Sequence, residues 1–207
     1  LVFAYMGPLD VMPPLPRYDV LENLGPEEEL QQEDQSFYIG GGVSQENPVA
    51  PYSWLQNFEN VMDPFHVVIL HSRFSGVQFR EQMATMPAVQ WEPCDHGVMY
   101  RSVRQTKEGP FTRITQTLLP NVRIVPSIEL EPGQGREVAW LVPVDSHHHR
   151  SFGVARVPKN VEPLYSRRSR MAVFEGKTWW EMSEDEHKRF PGDYEAQSTQ
   201  GSIPAHS

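Results

Sequence analysis

The sequence has little cysteine, no long apolar run and no excess of basic residues. Its 207 residues include one cysteine, Cys94, so no disulfide can form within the chain, and we expect a reducing compartment such as the cytoplasm. No apolar run approaches the roughly 20 residues of a membrane-spanning helix, so we expect no membrane partner. The formal net charge of −9 offers nucleic acid no basic surface to bind.

The remaining composition is typical of one large folded domain. Apolar residues make up 39% and charged residues 22% of a chain that is long enough to bury a real core. The opening residues 1–7 predict a strand already under way, and the proline-rich PPLPRYDV that follows predicts an extended connector. The acidic, glycine-rich stretch 19–50 predicts a long loop.

Two helices are predicted in the next part of the chain. Apolar residues recur with helical spacing from Trp54 to Met62, and Ser53 stands where an N-cap is expected. Asp63 precedes Pro64, and because proline fits best at the first helical position, Asp63 is placed to cap a second helix that runs to about Ser72.

Short strands dominate from residue 77 to residue 158. Segments rich in β-branched and aromatic residues alternate there with glycine and proline turns, which favours an antiparallel meander. An acidic helix is predicted around 180–187, and a last helix after Pro191 and Gly192. The predicted fold class is therefore α+β, with a central antiparallel β-sheet flanked by helices.

The segment ENVMDPFHVVILH, residues 59–71, places two histidines in an apolar helix. His66 and His71 are five residues apart, so on a regular helix their side chains diverge by about 140°. They converge only if the helix bends, ends between them or widens by a π-type turn. Two histidines and a carboxylate can hold an iron ion with open positions. The spacing does not decide which of the many acidic residues would be the third ligand. The alternative to a metal site is that both histidines are structural residues of a buried helix.

The same segment resembles the mononuclear-iron motif of Rieske non-haem iron oxygenases, in alpha subunits of the phthalate dioxygenase type. Asn60, Asp63, His66 and His71 match its four positions. FAYMGPLDVMPPLPRYDV resembles the exit from the Rieske domain of those subunits, and FPGDYEAQSTQGSIPAHS resembles the late helix whose aspartate, here Asp193, is the third iron ligand. The resemblance covers nearly the whole chain.

The resemblance implies a helix-grip-like catalytic domain in which His66, His71 and Asp193 hold Fe(II). Asp63 would bridge a histidine ligand to the cluster of a neighbouring subunit, and Asn60 would be a polar group beside the iron. The plainer interpretations are that Asp63 and Asp193 are helix N-caps, and that Glu195 is the rival third carboxylate.

A Rieske [2Fe–2S] cluster needs two cysteines and two histidines, whereas this chain has one cysteine. Cys94-Asp95-His96 has the spacing of half such a motif, but we predict a loop between strands. We therefore expect residues 1–18 to be the exit strand and linker from a missing Rieske domain. Residues 19–207 would be the mononuclear-iron catalytic domain, truncated at its C-terminus.

The activity implied is hydroxylation or O-demethylation of an aromatic substrate with O2. A separate reductase or ferredoxin would supply electrons from NAD(P)H, and the subunits would form a homotrimer. An aromatic acid would need an arginine to bind its carboxylate. The candidates on the predicted strands are Arg101, Arg104, Arg113 and Arg123.

Two other functions fit the same residues. A helix-grip module can bind a small apolar molecule without any metal, and then both histidines are dispensable for ligand binding. A zinc hydrolase could also use two histidines and an aspartate, although no Glu or His stands next to them as an obvious general base.

Overall fold

A computed structural model describes residues 4–34, 48–75, 80–126, 136–162 and 172–201. Seven strands form one antiparallel sheet in the order β1-β7-β6-β5-β4-β3-β2. The strands are β1 (Glu28–Asp34), β2 (Ala88–Cys94), β3 (Gly97–Thr106), β4 (Gly109–Leu118), β5 (Val122–Pro126), β6 (Arg136–Pro143) and β7 (His149–Pro158), with a separate pair β8 (Ala172–Phe174) and β9 (Lys177–Thr178).

Helices lie before and after the meander. They are α1 (Trp54–Met62), α2 (His66–Val68), α3 (Glu184–Arg189) and α4 (Asp193–Ser198), with a π-helical segment, Ile69–Phe74, continuing α2. Short 3₁₀ turns cover Leu9–Val11, Asp19–Leu21, Glu81–Ala84 and Trp179–Glu181. The predicted α+β fold with a central antiparallel sheet is confirmed. Among the described residues, no helix combines the length and apolar character needed to span a membrane.

Strand β1 corrects the prediction of a loop across residues 19–50. It pairs with β7 along its whole length, from Glu28 opposite Pro158 to Asp34 opposite Phe152. Its sequence EELQQED lacks the β-branched and aromatic residues that signal a strand, so it depends on the partner strand. Acidic side chains are common on an edge strand because they discourage pairing with another chain.

The first described residues also differ from the prediction. Residues 4–7 contain no strand, and a 3₁₀ turn at Leu9–Val11 precedes the extended, proline-rich connector. Cys94 ends β2 and His96 lies in the tight turn to β3, with a φ of 65°, as expected for a loop between strands. One of the glycine and proline turns expected between the strands, at Pro132-Gly133, lies outside the described residues.

The sheet has two faces of different character, which we call the apolar face and the polar face. On the apolar face, Val122, Ile124 and Val138 pack against Val20 from the N-terminal segment. The register from β3 to β5 places alternate residues of β3 and β4 on the opposite, polar face. They are buried and mostly polar: Tyr100, Ser102, Arg104, Arg113, Thr115 and Thr117.

The helices cover the polar face. Arg123, which lies opposite Thr117 on that face, donates a hydrogen bond from Nη1 to Oδ1 of Asn57 in α1 at 3.4 Å. Arg104 donates from Nη2 to the carbonyl of Pro64, just before α2, at 3.4 Å. The turn that begins α2 is therefore held against β3.

Candidate metal centre

Three side chains from two distant segments converge beneath the helices. Nε2 of His71 lies 3.0 Å and Nε2 of His66 lies 3.6 Å from Oδ1 of Asp193. The possible ligand atoms of the three residues all lie within 4.8 Å of one another, and this is the group of metal-ligating side chains found among the described residues. His71 is fully buried, and the other two are partly buried.

The helix widens between the two histidines, as one of the three predicted routes to convergence requires. Regular α-helix extends over His66–Val68, and π-helix continues from Ile69 to Phe74. The amide of Ser75 donates to the carbonyl of Leu70 at 3.1 Å, an i→i−5 bond. The wider turn brings the ring of His71 round to that of His66, with centroids 5.4 Å apart.

Asp63 begins the helix and also orients the first histidine. Its carboxylate accepts hydrogen bonds from the amides of Phe65 at 2.8 Å and His66 at 3.2 Å, which is N-terminal capping. Its backbone carbonyl contacts Nδ1 of His66. When Nδ1–H donates to that carbonyl, Nε2 carries the free lone pair and faces Asp193, as ligation of a metal requires.

Asp193 is the first residue of α4, and its neighbours fix its carboxylate. The Asn60 side chain donates from Nδ2 to Oδ1 of Asp193 at 3.1 Å. The capping interpretation of Asp193 does not hold, because the N-cap residue is Gly192, whose amide donates to Glu195 at 2.8 Å. Glu195 also accepts from Trp179 Nε1 at 2.7 Å, so this rival carboxylate points away from the histidines.

A contact between two glutamines joins α1 to α4, and the sequence did not reveal it. Gln56 of α1 donates from Nε2 to the carbonyl of Gln197 at 3.1 Å and to that of Gly201 at 2.8 Å. The spacing Ser53-x-x-Gln56 is a capping-box signal, and both of its hydrogen bonds are present. That signal predicts the start of α1 but says nothing about α4.

The electrostatics of the site favour one ionised carboxylate and a neutral ring. Burial alone would raise the pKa of Asp193, but the rings of His71 and His66 and the Asn60 amide together hold the pKa well below its ordinary value. Burial is the main cause of the lowered pKa of His66. A metal needs this protonation state, because it competes with protons for each ligand.

The residues fit a first-row metal ion with open positions. Bonds of about 2.1 Å at right angles place two ligand atoms roughly 3 Å apart, close to the separations of Asp193 Oδ1 from the two imidazole nitrogens. Two imidazoles and one carboxylate on one side of a site are the set typical of non-haem Fe(II) oxygenases.

Comparisons with known proteins agree with this interpretation. The comparison with protein-family models gives no match. The whole chain is 46% identical to phenoxybenzoate dioxygenase subunit alpha of Ectopseudomonas oleovorans and covers 49% of it. It is 29% identical to the tert-butanol monooxygenase / tert-amyl alcohol desaturase oxygenase subunit of Aquincola tertiaricarbonis, covering 46% of it. The chain thus spans about half the length of these curated relatives.

A solved structure shares the fold. The QL mutant of NdmA from Pseudomonas putida CBB5, determined with caffeine, aligns with 94% of this chain and 47% of its own, at a TM-score of 0.50 and 14% identity. At that identity the likeness shows the fold alone. These relatives, matched along the whole of this chain, show its family: the chain belongs to the Rieske oxygenases.

Proposed function

We propose that the chain is the catalytic part of an oxygenase that hydroxylates or O-demethylates an aromatic substrate with O2. The observation that carries the proposal is the convergence of His66, His71 and Asp193, with ligand atoms within 4.8 Å of one another on one side of a buried site. The names of the relatives, a dioxygenase subunit alpha and a monooxygenase oxygenase subunit, support the reaction class.

The metal would be a mononuclear Fe(II), which supplies reductive activation of O2 when it is bound. His66, His71 and Asp193 would hold it through Nε2, Nε2 and a carboxylate oxygen. Asn60 keeps the Asp193 carboxylate oriented through its 3.1 Å hydrogen bond. Burial of His71 keeps bulk water away from the ligand atoms, as a site that must limit side reactions requires.

Asp63 would carry the electron route between subunits. Its carboxylate is about half exposed, at 46%, although it caps the ligand helix and lies 3.9 Å from Nδ1 of His66. A group that contacts a metal ligand on one side and solvent on the other is suited to bridge to the cluster histidine of a neighbouring subunit.

The partners follow from this scheme. Electrons would come from NAD(P)H through a reductase or ferredoxin and then through a [2Fe–2S] Rieske cluster of a neighbouring subunit in a homotrimer. Residues 1–18 would link the cluster's own domain to the catalytic domain of residues 19–207. A cytoplasmic location would suit both ferrous iron and the single free Cys94.

Metal analysis of protein purified without oxygen tests the proposal. We expect about one iron per chain in the unchanged protein, and a loss of roughly tenfold or more in His71→Ala and Asp193→Ala, because removing one of three ligands leaves too few. His148→Ala is the matched control, since that histidine is partly exposed in a turn and pairs with Asp145.

Each contrary result points to one of the other two functions. Protein that binds no metal, and keeps its ligand affinity when both histidines are changed to alanine, is a small-molecule-binding module. Protein that prefers zinc and acts without oxygen is a hydrolase. Either result overturns the oxygenase proposal.

A further inference from the structure

Four arginines lie on β3, β4 and β5, and the structure separates them into two kinds. Arg101 is exposed and donates to Gln90 at 2.9 Å. Arg123 forms an ion pair with Glu137 at 3.3 Å. Arg104 and Arg113, in contrast, are 1% and 8% exposed and form no ion pair with any described carboxylate. Two buried cations without an acid need an explanation, because burying an uncompensated charge is costly.

The hydrogen bonds of these two guanidinium groups leave much of their donor capacity unused. Arg104 donates to Ser102 Oγ at 3.1 Å and to the Pro64 carbonyl at 3.4 Å. Arg113 donates to the Pro126 carbonyl at 2.7 Å and contacts the sulfur of Met83 at 3.4 Å. A guanidinium has five N–H donors. In both residues Nε is buried and has no hydrogen-bond partner within the protein.

The two arginines are neighbours on the polar face. Arg113 lies directly opposite Ser102, so Arg104 is its diagonal neighbour across β3 and β4, within reach of long side chains. Burial lowers the pKa of Arg113 to about 10, with an opposing effect of Tyr100 and a further lowering by Arg104. Thr115, two residues along β4, adds a buried hydroxyl that also lacks a partner. Unused donors and one hydroxyl thus lie close together on the same face of the sheet.

Neighbouring residues link the two buried arginines to the metal centre. The Arg104 guanidinium donates to the carbonyl of Pro64, which lies two residues before His66. Phe65, between them, packs on Trp91 with ring centroids 6.2 Å apart, and Trp91 is paired across the sheet with Tyr100. Aromatic side chains therefore line the same side of the sheet as the arginines.

We infer that Arg104 and Arg113 bind the carboxylate of an aromatic acid substrate. An arginine fork matches the two oxygens of a carboxylate, and a buried, charge-assisted pair of this kind is strong as well as directional. The substrate's ring would lie along Tyr100, Phe65 and Trp91, with its far end towards the histidines. This inference rests on the proposed function for the reaction that follows, but binding itself can be measured without turnover.

The first test compares benzoate with benzamide, which has nearly the same shape and no charge. Binding to the purified, iron-loaded protein is measured by calorimetry without oxygen, so that no reaction occurs. We expect benzoate to bind at least tenfold more tightly. Equal affinities would overturn the inference without any variant being needed.

The second test uses variants. We expect Arg113→Met and Arg104→Met to weaken benzoate at least tenfold and to leave benzamide unchanged, and Arg113→Lys to restore little, because lysine lacks the fork. Arg101→Met is the control, since that arginine lies on the same strand as Arg104 but is exposed. An equal loss in Arg101→Met, or full benzoate affinity in both buried variants, would overturn the inference.

The failure of the oxygenase proposal is distinguishable from the failure of this one. Suppose that benzoate selectivity depends on Arg113 but that the metal content does not change in His71→Ala. That result supports the carboxylate site and refutes the iron site. Iron that depends on His71, in protein that does not distinguish benzoate from benzamide, does the reverse.

Discussion

The apolar cluster on β5 and β6 and the polar part of the opposite face, on β3 and β4, are both buried, yet they serve different ends. On the apolar face, Ile124 and Val138 pack with Val20 into a continuous cluster. On the polar face, Arg104, Arg113 and Thr115 are equally buried but keep polar atoms without partners. Each such atom costs about 1–3 kcal/mol. Buried polar groups that do not stabilise the fold are typical of a ligand site, whereas the apolar cluster does stabilise it.

The largest effect is expected in the turn between α1 and α2, which packs on the polar face, from Asp63→Asn. Asparagine is as good an N-cap as aspartate, so iron content and stability should hardly change. Turnover with the electron donor should fall at least 100-fold, because the proposed bridge to a neighbouring subunit would lose its charge. Stopped-flow or steady-state oxygen consumption measures this. Retained turnover would show that Asp63 is only a cap.

Next in size is the loss of packing on the apolar face. Ile124→Ala removes a buried side chain from the cluster with Val122 and Val138, and we expect about 2–5 kcal/mol less free energy of unfolding. Chemical denaturation of the metal-loaded protein measures it, and benzoate affinity should not change. A large loss of benzoate affinity would contradict the separation of the two faces.

Acid should destabilise the protein through His149, the buried first residue of β7. Burial is the main cause that lowers its pKa to about 4, although Nδ1 contacts the Tyr52 carbonyl at 2.9 Å. Between pH 6.5 and about 4 the unfolded chain binds a proton that the folded chain does not, so stability falls as pH falls, by roughly 3 kcal/mol.

His149→Asn isolates that contribution. The asparagine amide can still donate to the Tyr52 carbonyl but does not titrate, so the fall in unfolding free energy between pH 6.5 and 4 should shrink by most of this amount. Denaturation series at several pH values measure it. An unchanged slope would show that another group is responsible.

The smallest effect is expected from Thr115→Val on the polar face. The hydroxyl of Thr115 is buried without a hydrogen-bond partner, so replacing it with a methyl of similar size should raise the free energy of unfolding by about 1 kcal/mol in ligand-free protein. The sign is opposite to that of Ile124→Ala. A clear loss of stability would mean that the hydroxyl is satisfied by water.

The sequence by itself determined those features that depend on neighbouring residues. The sequence was enough to predict the strand pattern from 88 to 158, the cap at Ser53 and the segment with Asn60, Asp63, His66 and His71. Alternation, capping and motif spacing are all local. Strand β1 could not be predicted in this way, because EELQQED has no strand signal of its own and pairs with β7.

Only the tertiary structure decided which side chains meet. The sequence left three routes by which the two rings could meet, and the structure has the π-helical turn. The 3.0 Å approach of Asp193 to His71 and the turning away of Glu195 depend on how α4 packs against α1. The four strand arginines looked alike in the sequence, and the register of β3 and β4 buried two of them. Long-range packing sets these contacts, so no local pattern can predict them.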